Sequence, residues 1–173
     1  MNNFPNWFAN DGHGNFSAFM KPNFANKPSR LLQIGAYTGD ASMWMYENIL
    51  KTSSSVLVDV DTWEGSDEVA HHGMHWGTVE SVYDTKTSEA RLARKVIKYK
   101  GTSDSFFKSN VEKYDFIYVD GDHTAYGAIK DAIAGYECLN VGGIIAFDDY
   151  QWVGAVDPAD RPGMAIDAFM QIY

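Results

Sequence analysis

Two apolar runs that each end in acids, joined by one helical segment, constrain this chain more than any other feature. From Tyr114 to Tyr150 it reads YDFIYVDGDHTAYGAIKDAIAGYECLNVGGIIAFDDY. Phe116 to Val119 reads as a buried strand ending in Asp120, Asp122 and His123. A helix is expected over about Ala125 to Leu139, and Ile144 to Phe147 reads as a second strand ending in Asp148 and Asp149. Two strands joined by a helix run parallel, so both deliver carboxylates to the same rim of a sheet. That rim is where open α/β sheets bind ligands. Carboxylates crowded there repel one another and are drawn toward protonation, so their natural complement is a hard cation or a cationic ligand.

The rest of the chain repeats the alternation. Leu31 to Ile34, Val56 to Val60 and Val96 to Lys100 read as further strands. Helical segments are expected over about Asp40 to Leu50, Thr78 to Tyr83, from Ser103 onward, and from Pro162 to Tyr173. The fold class is therefore α/β, a doubly wound and mainly parallel sheet. A length of 173 residues suits one domain. We assign it to residues 29–173, preceded over 1–28 by an arm in which Phe4, Trp7, Phe8, Phe16, Phe19 and Phe24 stand among Asn, Gly and Pro. Such an arm is expected to be irregular or a short helix, its aromatics capping the core.

Charge narrows the function. Asp and Glu number 23 against 14 Lys and Arg, a net charge of −9, which argues against a nucleic-acid backbone or an anionic membrane as partner and for a small-molecule one. No apolar run approaches membrane-spanning length, and the first residues lack the basic start and apolar stretch of a secretory signal, so a cytoplasmic location is expected. Cys138 is the single cysteine, so no internal disulfide forms, and its helical, apolar setting suits a core position. His71, His72 and His75 lie in a stretch without helical period, flanked by Gly73 and Gly77 and with no third ligand nearby; a solvated lid fits them better than a zinc site.

After the first strand, Gly35 and Gly39 bracket a turn in which glycine would let the backbone approach a ligand. The spacing GxxxG differs from the GxGxxG of dinucleotide enzymes and speaks against NAD. Asp59, near the end of the second strand, stands roughly where doubly wound folds place a ribose-binding acid, ~20 residues downstream of the turn. Asp61 competes with it, because strand alternation points both to one side.

With these residues in place, the chain resembles the class I S-adenosylmethionine-dependent methyltransferases, in the branch with an IGxxxGxS turn, a DTWxGD segment and strand ends DGxH and GGxxxxDDY. The matching residues run from Ile34 to Ser42, Asp61 to Ser66, Asp120 to His123 and Gly142 to Tyr150. The resemblance implies a Rossmann-like methyltransferase fold and S-adenosylmethionine as cofactor. Gly35, Tyr37, Gly39 and Ser42 would surround its methionyl part, with Ala36, Val60 and Asp120 also in contact. Asp59 or Asp61 would hold the ribose, and Thr102 and Ser103 would sit near the adenine. Similar small-molecule O-methyltransferases imply a divalent cation, usually magnesium, on Asp120, Asp148 and Asp149, with His123 or Asp122 as general base. The reaction implied is methyl transfer to a hydroxyl of a sugar or another small molecule.

Three departures from the family pattern stand out. Gln33 replaces the acid that often precedes the IG, and Ser66 replaces the last Asp of DTWxGD. The fold usually closes with two further strands for which the sequence offers no candidate, so the expected sheet is shortened, and self-association covering its open edge is expected. A shortened cofactor-binding protein that acts through a partner, and a metal-dependent hydrolase using the acids alone, are the alternative readings.

Overall fold

The computed structural model describes residues 4–10, 12–66, 69–155 and 157–173. Five strands form one sheet in the order β3-β2-β1-β4-β5: β1 (Arg30–Ile34), β2 (Val56–Asp61), β3 (Val96–Lys100), β4 (Tyr114–Val119) and β5 (Leu139–Phe147). Every pairing is parallel. The doubly wound, parallel expectation is met, and the order reverses between β1 and β4, the switch point at which such sheets bind ligands.

Alternation along the strands divides the core into two layers. Leu31, Leu57, Phe116 and Tyr118 face one layer with α3 (Asp40–Asn48), which supplies Ala41, Trp44 and Met45. Leu32, Ile34, Val58, Val60, Ile117 and Val119 face the other, which is closed by Phe106 of α6 (Ser103–Ser109) and covered by α7 (Ala125–Glu137) and α8 (Pro162–Ile172), with Gly135 of α7 against Ile117. Gln33, Asp59 and Asp61 lie within their strands on the side of the first layer, and Asp120, one step beyond β4, inherits the same side.

The amino-terminal segment is more regular than its composition suggests. After the short helix α1 (Trp7–Asn10), α2 spans Gly12–Phe24 and buries Phe16, Met20 and Phe24, a stripe at every fourth residue, in the first layer. Phe16 meets Trp44, Phe116 and Tyr118 in edge-to-face contacts. Burial of such side chains stabilises by roughly 1.5–3 kcal/mol each, which outweighs the cost of Gly14 and Pro22 inside the helix.

The polar stretch after β2 holds a short helical turn, Val69–His71, before α4 (Trp76–Lys86) and α5 (Ser88–Leu92); positions 67 and 68 lie outside the described residues. The end of α7 also differs from expectation. The helix stops at Glu137, and Cys138, half-buried rather than core, follows it as its cap. Strand β5 begins at Leu139 because the Tyr114 N–H bonds to the Cys138 carbonyl at 2.9 Å, and its register with β4 shifts between Tyr114 and Phe116. No described helix is long and apolar enough to cross a membrane.

Candidate active site at the carboxyl rim of the sheet

The turn between β1 and α3 is fixed by side chains on almost every peptide. Asp61 Oδ2 accepts the N–H groups of Ala36 and Tyr37 at 2.8 and 2.9 Å, while its Oδ1 accepts that of Trp63 at 2.7 Å. Gln33 Nε2 donates to the Gly35 carbonyl at 2.7 Å, and Trp63 Nε1 donates to the Tyr37 carbonyl at 2.9 Å. The turn is thus preorganised, with Tyr37 in the left-handed region at φ 46°. Gly35, at φ 86°, is obligatory: a Cβ there would stand 1.7 Å from the Asp120 carbonyl oxygen. The glycine lets the end of β4 lie directly against the turn.

The two candidate ribose acids part company here. Asp59 is fully buried, its Oδ2 accepting the Tyr83 hydroxyl at 2.7 Å, whereas Asp61 is half-buried at the strand end. Ser42 is likewise fully buried, its hydroxyl 3.4 Å from Gln33 Oε1, and Ala36 and Val60 are buried as well. Beyond β3, Thr102 caps α6 by accepting the Ser105 N–H at 3.1 Å, and Ser103 lies beside the buried Asp131 of α7.

Beside the turn, Asp120, His123 and Asp149 converge. His123 Nε2 lies 2.9 Å from Asp149 Oδ2 and 3.7 Å from Asp120 Oδ1. One ligand atom from each fits within 4.8 Å, a span a single metal ion can bridge. Burial pushes the Asp120 carboxyl up to about 8; the hydrogen bond from His123 opposes this and the charges of Asp148 and Asp149 add to it. Such a group gains from a nearby cation. Asp148 is held separately by Tyr118, whose hydroxyl donates to its Oδ1 at 2.5 Å. Asp122 is exposed and accepts the Thr124 N–H at 3.0 Å, at the start of α7. The sequence singled out Asp120, Asp148 and Asp149 as a metal set; the structure brings Asp120, Asp149 and His123 together.

An aromatic group borders the turn. Trp7 stacks on Tyr37 with ring centroids 4.5 Å apart, Trp76 lies 6.2 Å from Tyr37, and His71 lies 4.9 Å from Trp76. Asn6 ties the arm to Asp40 at 3.1 Å. Burial raises the Tyr37 hydroxyl to about 12, with Asp40 adding to the shift. Trp152 flanks His123 at 5.6 Å. Sequence reasoning missed the roles of Trp63, Tyr83 and Tyr118, whose partners lie on other strands and helices.

A family model described as "Methyltransferase domain" matches residues 32–150, from β1 to the acids after β5. No curated protein matches the sequence. An O-methyltransferase from Bacillus cereus, solved with SAH, superposes with a TM-score of 0.60 at 17% identity, over 84% of this chain and 62% of that one. TomG from Streptomyces achromogenes, an O-methyltransferase of tomaymycin synthesis solved with SAM, gives 0.62 at 17% identity over 84% and 61%. The SAH-bound methyltransferase PaMTH1 from Podospora anserina gives 0.57 at 19% identity over 82% and 61%. At these identities the likeness is one of fold, and the chain spans only about three fifths of each of these relatives. Because the model covers most of the chain and carries both the turn and the acids, the chain belongs to the methyltransferase-domain family.

Proposed function

We propose that this chain transfers a methyl group from S-adenosylmethionine to a hydroxyl of a small molecule, with a divalent cation at the acid cluster. The observation that carries the reading is the contact of Gly35 with Asp120, which sets a preorganised turn and a cluster of cation-seeking groups side by side at the switch point of the sheet. The neighbours of similar fold, O-methyltransferases solved with SAM or SAH, point the same way.

In this reading the turn from Gly35 to Gly39 receives the methionyl part of the cofactor, and Asp61, already at the rim, accepts from the ribose hydroxyls. Asp59 acts from beneath, since no atom of it reaches the surface. Asp120 and Asp149 would hold the cation, and their carboxylates suit a hard ion such as magnesium. S-adenosylmethionine supplies an electrophilic methyl group, and a cation lowers the pKa of a hydroxyl bound to it. The remaining work belongs to the chain. It holds the acceptor oxygen in line, excludes water with the Trp7–Tyr37–Trp76 group, and takes the proton at His123 Nε2, whose partner Asp149 stabilises the charged ring.

The test is a methyl-transfer assay with labelled S-adenosylmethionine against a panel of sugar and phenolic hydroxyls, run with magnesium, with manganese and with chelator. Transfer that disappears with chelator and in Asp149→Ala supports the reading. Transfer that survives both contradicts the role of the cation.

A further inference from the structure

Beneath the turn lies a buried polar layer that the mechanism above does not use. In the parallel register Gln33 of β1 pairs with Asp59 of β2, and Asp59 with Lys98 of β3, so the three side chains project to one face. Asp59 is completely buried; the Tyr83 hydroxyl donates to Oδ2 at 2.7 Å, and Oδ1 has no hydrogen-bond partner.

The charged neighbours do not neutralise a carboxylate at this point. Lys98 is turned to Glu80 and Asp84, at 2.7 and 2.8 Å, and stands over the rings of Trp63 and Tyr83 at 4.5 and 5.5 Å. Arg91 of α5 pairs with Asp84 at 2.5 Å. Asp61, two residues along β2, is of like sign, and α3 contributes only the Ser42 hydroxyl, which lies between Gln33 Oε1, at 3.4 Å, and the Asp59 carboxyl. An ionised Asp59 would be a buried charge held only by hydroxyl donors, whereas a protonated one is neutral. Burial raises the carboxyl to about 7; hydrogen bonds from Tyr83 and Ser42 oppose the shift and the Asp61 charge adds to it.

This layer grips the turn at both ends. Gln33 donates to the Gly35 carbonyl at 2.7 Å. At the other end the Tyr83 ring lies so close to Gly39 that a Cβ there would come within 3.0 Å of it, and it packs on Trp63 at 4.7 Å, whose indole N–H holds the Tyr37 carbonyl.

We propose that Asp59 is a positioning residue that holds a proton beneath the Gly35–Gly39 turn, and that loss of this proton leaves a buried charge beside Gln33 and Tyr83, which loosens the turn and weakens cofactor binding. The proposal rests on the reading of the turn as the S-adenosylmethionine site. It makes cofactor affinity sensitive to pH through a group that never touches the cofactor.

Calorimetric titration of the whole chain with S-adenosylmethionine between pH 6 and pH 9 tests it, using wild type, Asp59→Asn and Tyr83→Phe. Wild-type affinity is expected to fall about tenfold across the range, the effect of ~1.4 kcal/mol. Asp59→Asn should lose the part of that fall that Asp59 causes, while any titration of the ligand's own amino group is common to both chains. Tyr83→Phe removes the donor that favours the ionised form, so its midpoint should move to higher pH, a shift that a merely structural role would not produce. Binding with a pH profile shared by wild type and Asp59→Asn would overturn the proposal and leave the cofactor reading standing. Absence of binding at every pH would overturn both.

Discussion

Tyr118 donates its hydroxyl to Asp148 Oδ1 at 2.5 Å, which divides two adjacent acids between two tasks. Asp148 is engaged by Tyr118, while Asp149 lies 2.9 Å from His123 Nε2. The two positions should therefore respond unequally to substitution. In manganese titrations followed by electron paramagnetic resonance, Asp149→Ala is expected to weaken binding by at least about tenfold, and Asp148→Ala by clearly less. Equal losses would return Asp148 to the metal set expected from the sequence.

The turn has no room for a side chain at position 35. Gly35→Ala would force a Cβ against the Asp120 carbonyl and hold a non-glycine residue at φ 86°. A loss of roughly 1–3 kcal/mol in urea unfolding is expected from the backbone strain, more where β4 is displaced, together with loss of cofactor binding.

Asp61 accepts three backbone N–H groups, on Ala36, Tyr37 and Trp63. Asp61→Ala leaves them without their acceptor. We expect about 1–3 kcal/mol of destabilisation by thermal or urea unfolding and at least tenfold weaker S-adenosylmethionine binding, whereas Asp61→Asn should lie between the two chains because one oxygen remains.

Asp131 gives stability a defined pH dependence. Burial raises its carboxyl to about 6, with the bond from Ser103 opposing the shift and Asp122 adding to it. The folded chain thus holds this proton more tightly than the unfolded one. Its contribution is complete below pH ~4 and is lost as the pH rises through about 6. Against wild type, Asp131→Asn should gain stability between pH 4 and pH 8, by up to about 3 kcal/mol; urea midpoints measured at both pH values check the sign.

Much of this architecture is written in local pattern. The five strands show as apolar runs, and Asp120 and Asp149 were readable as rim acids because each ends such a run. The stripe Phe16–Met20–Phe24 was not readable as a 13-residue helix, since Gly14 and Pro22 blur its period and only packing against β4 and α3 stabilises it. The choice between Asp59 and Asp61 was equally closed to the sequence. Both point to one side of β2, and what separates them is Tyr83, which arrives from α4 to bury the first. His123 could be placed near the acids, but its position between Asp120 and Asp149 depends on how the chain turns after β4.

That stripe yields a prediction of its own. Phe16→Ala removes a ring packed on Trp44, Phe116 and Tyr118. About 3–5 kcal/mol of stability should be lost if the arm is part of the core, as read from urea denaturation. A change below ~1 kcal/mol would mean that α2 is only loosely attached.

The most direct measurement for the account as a whole is calorimetric titration of the chain with S-adenosylmethionine, in magnesium and again in chelator. The account predicts saturable binding at one site per chain, retained without metal and lost in Gly35→Ala. No binding in either condition, or binding unaffected by Gly35→Ala, would contradict the assignment of the turn as the cofactor site.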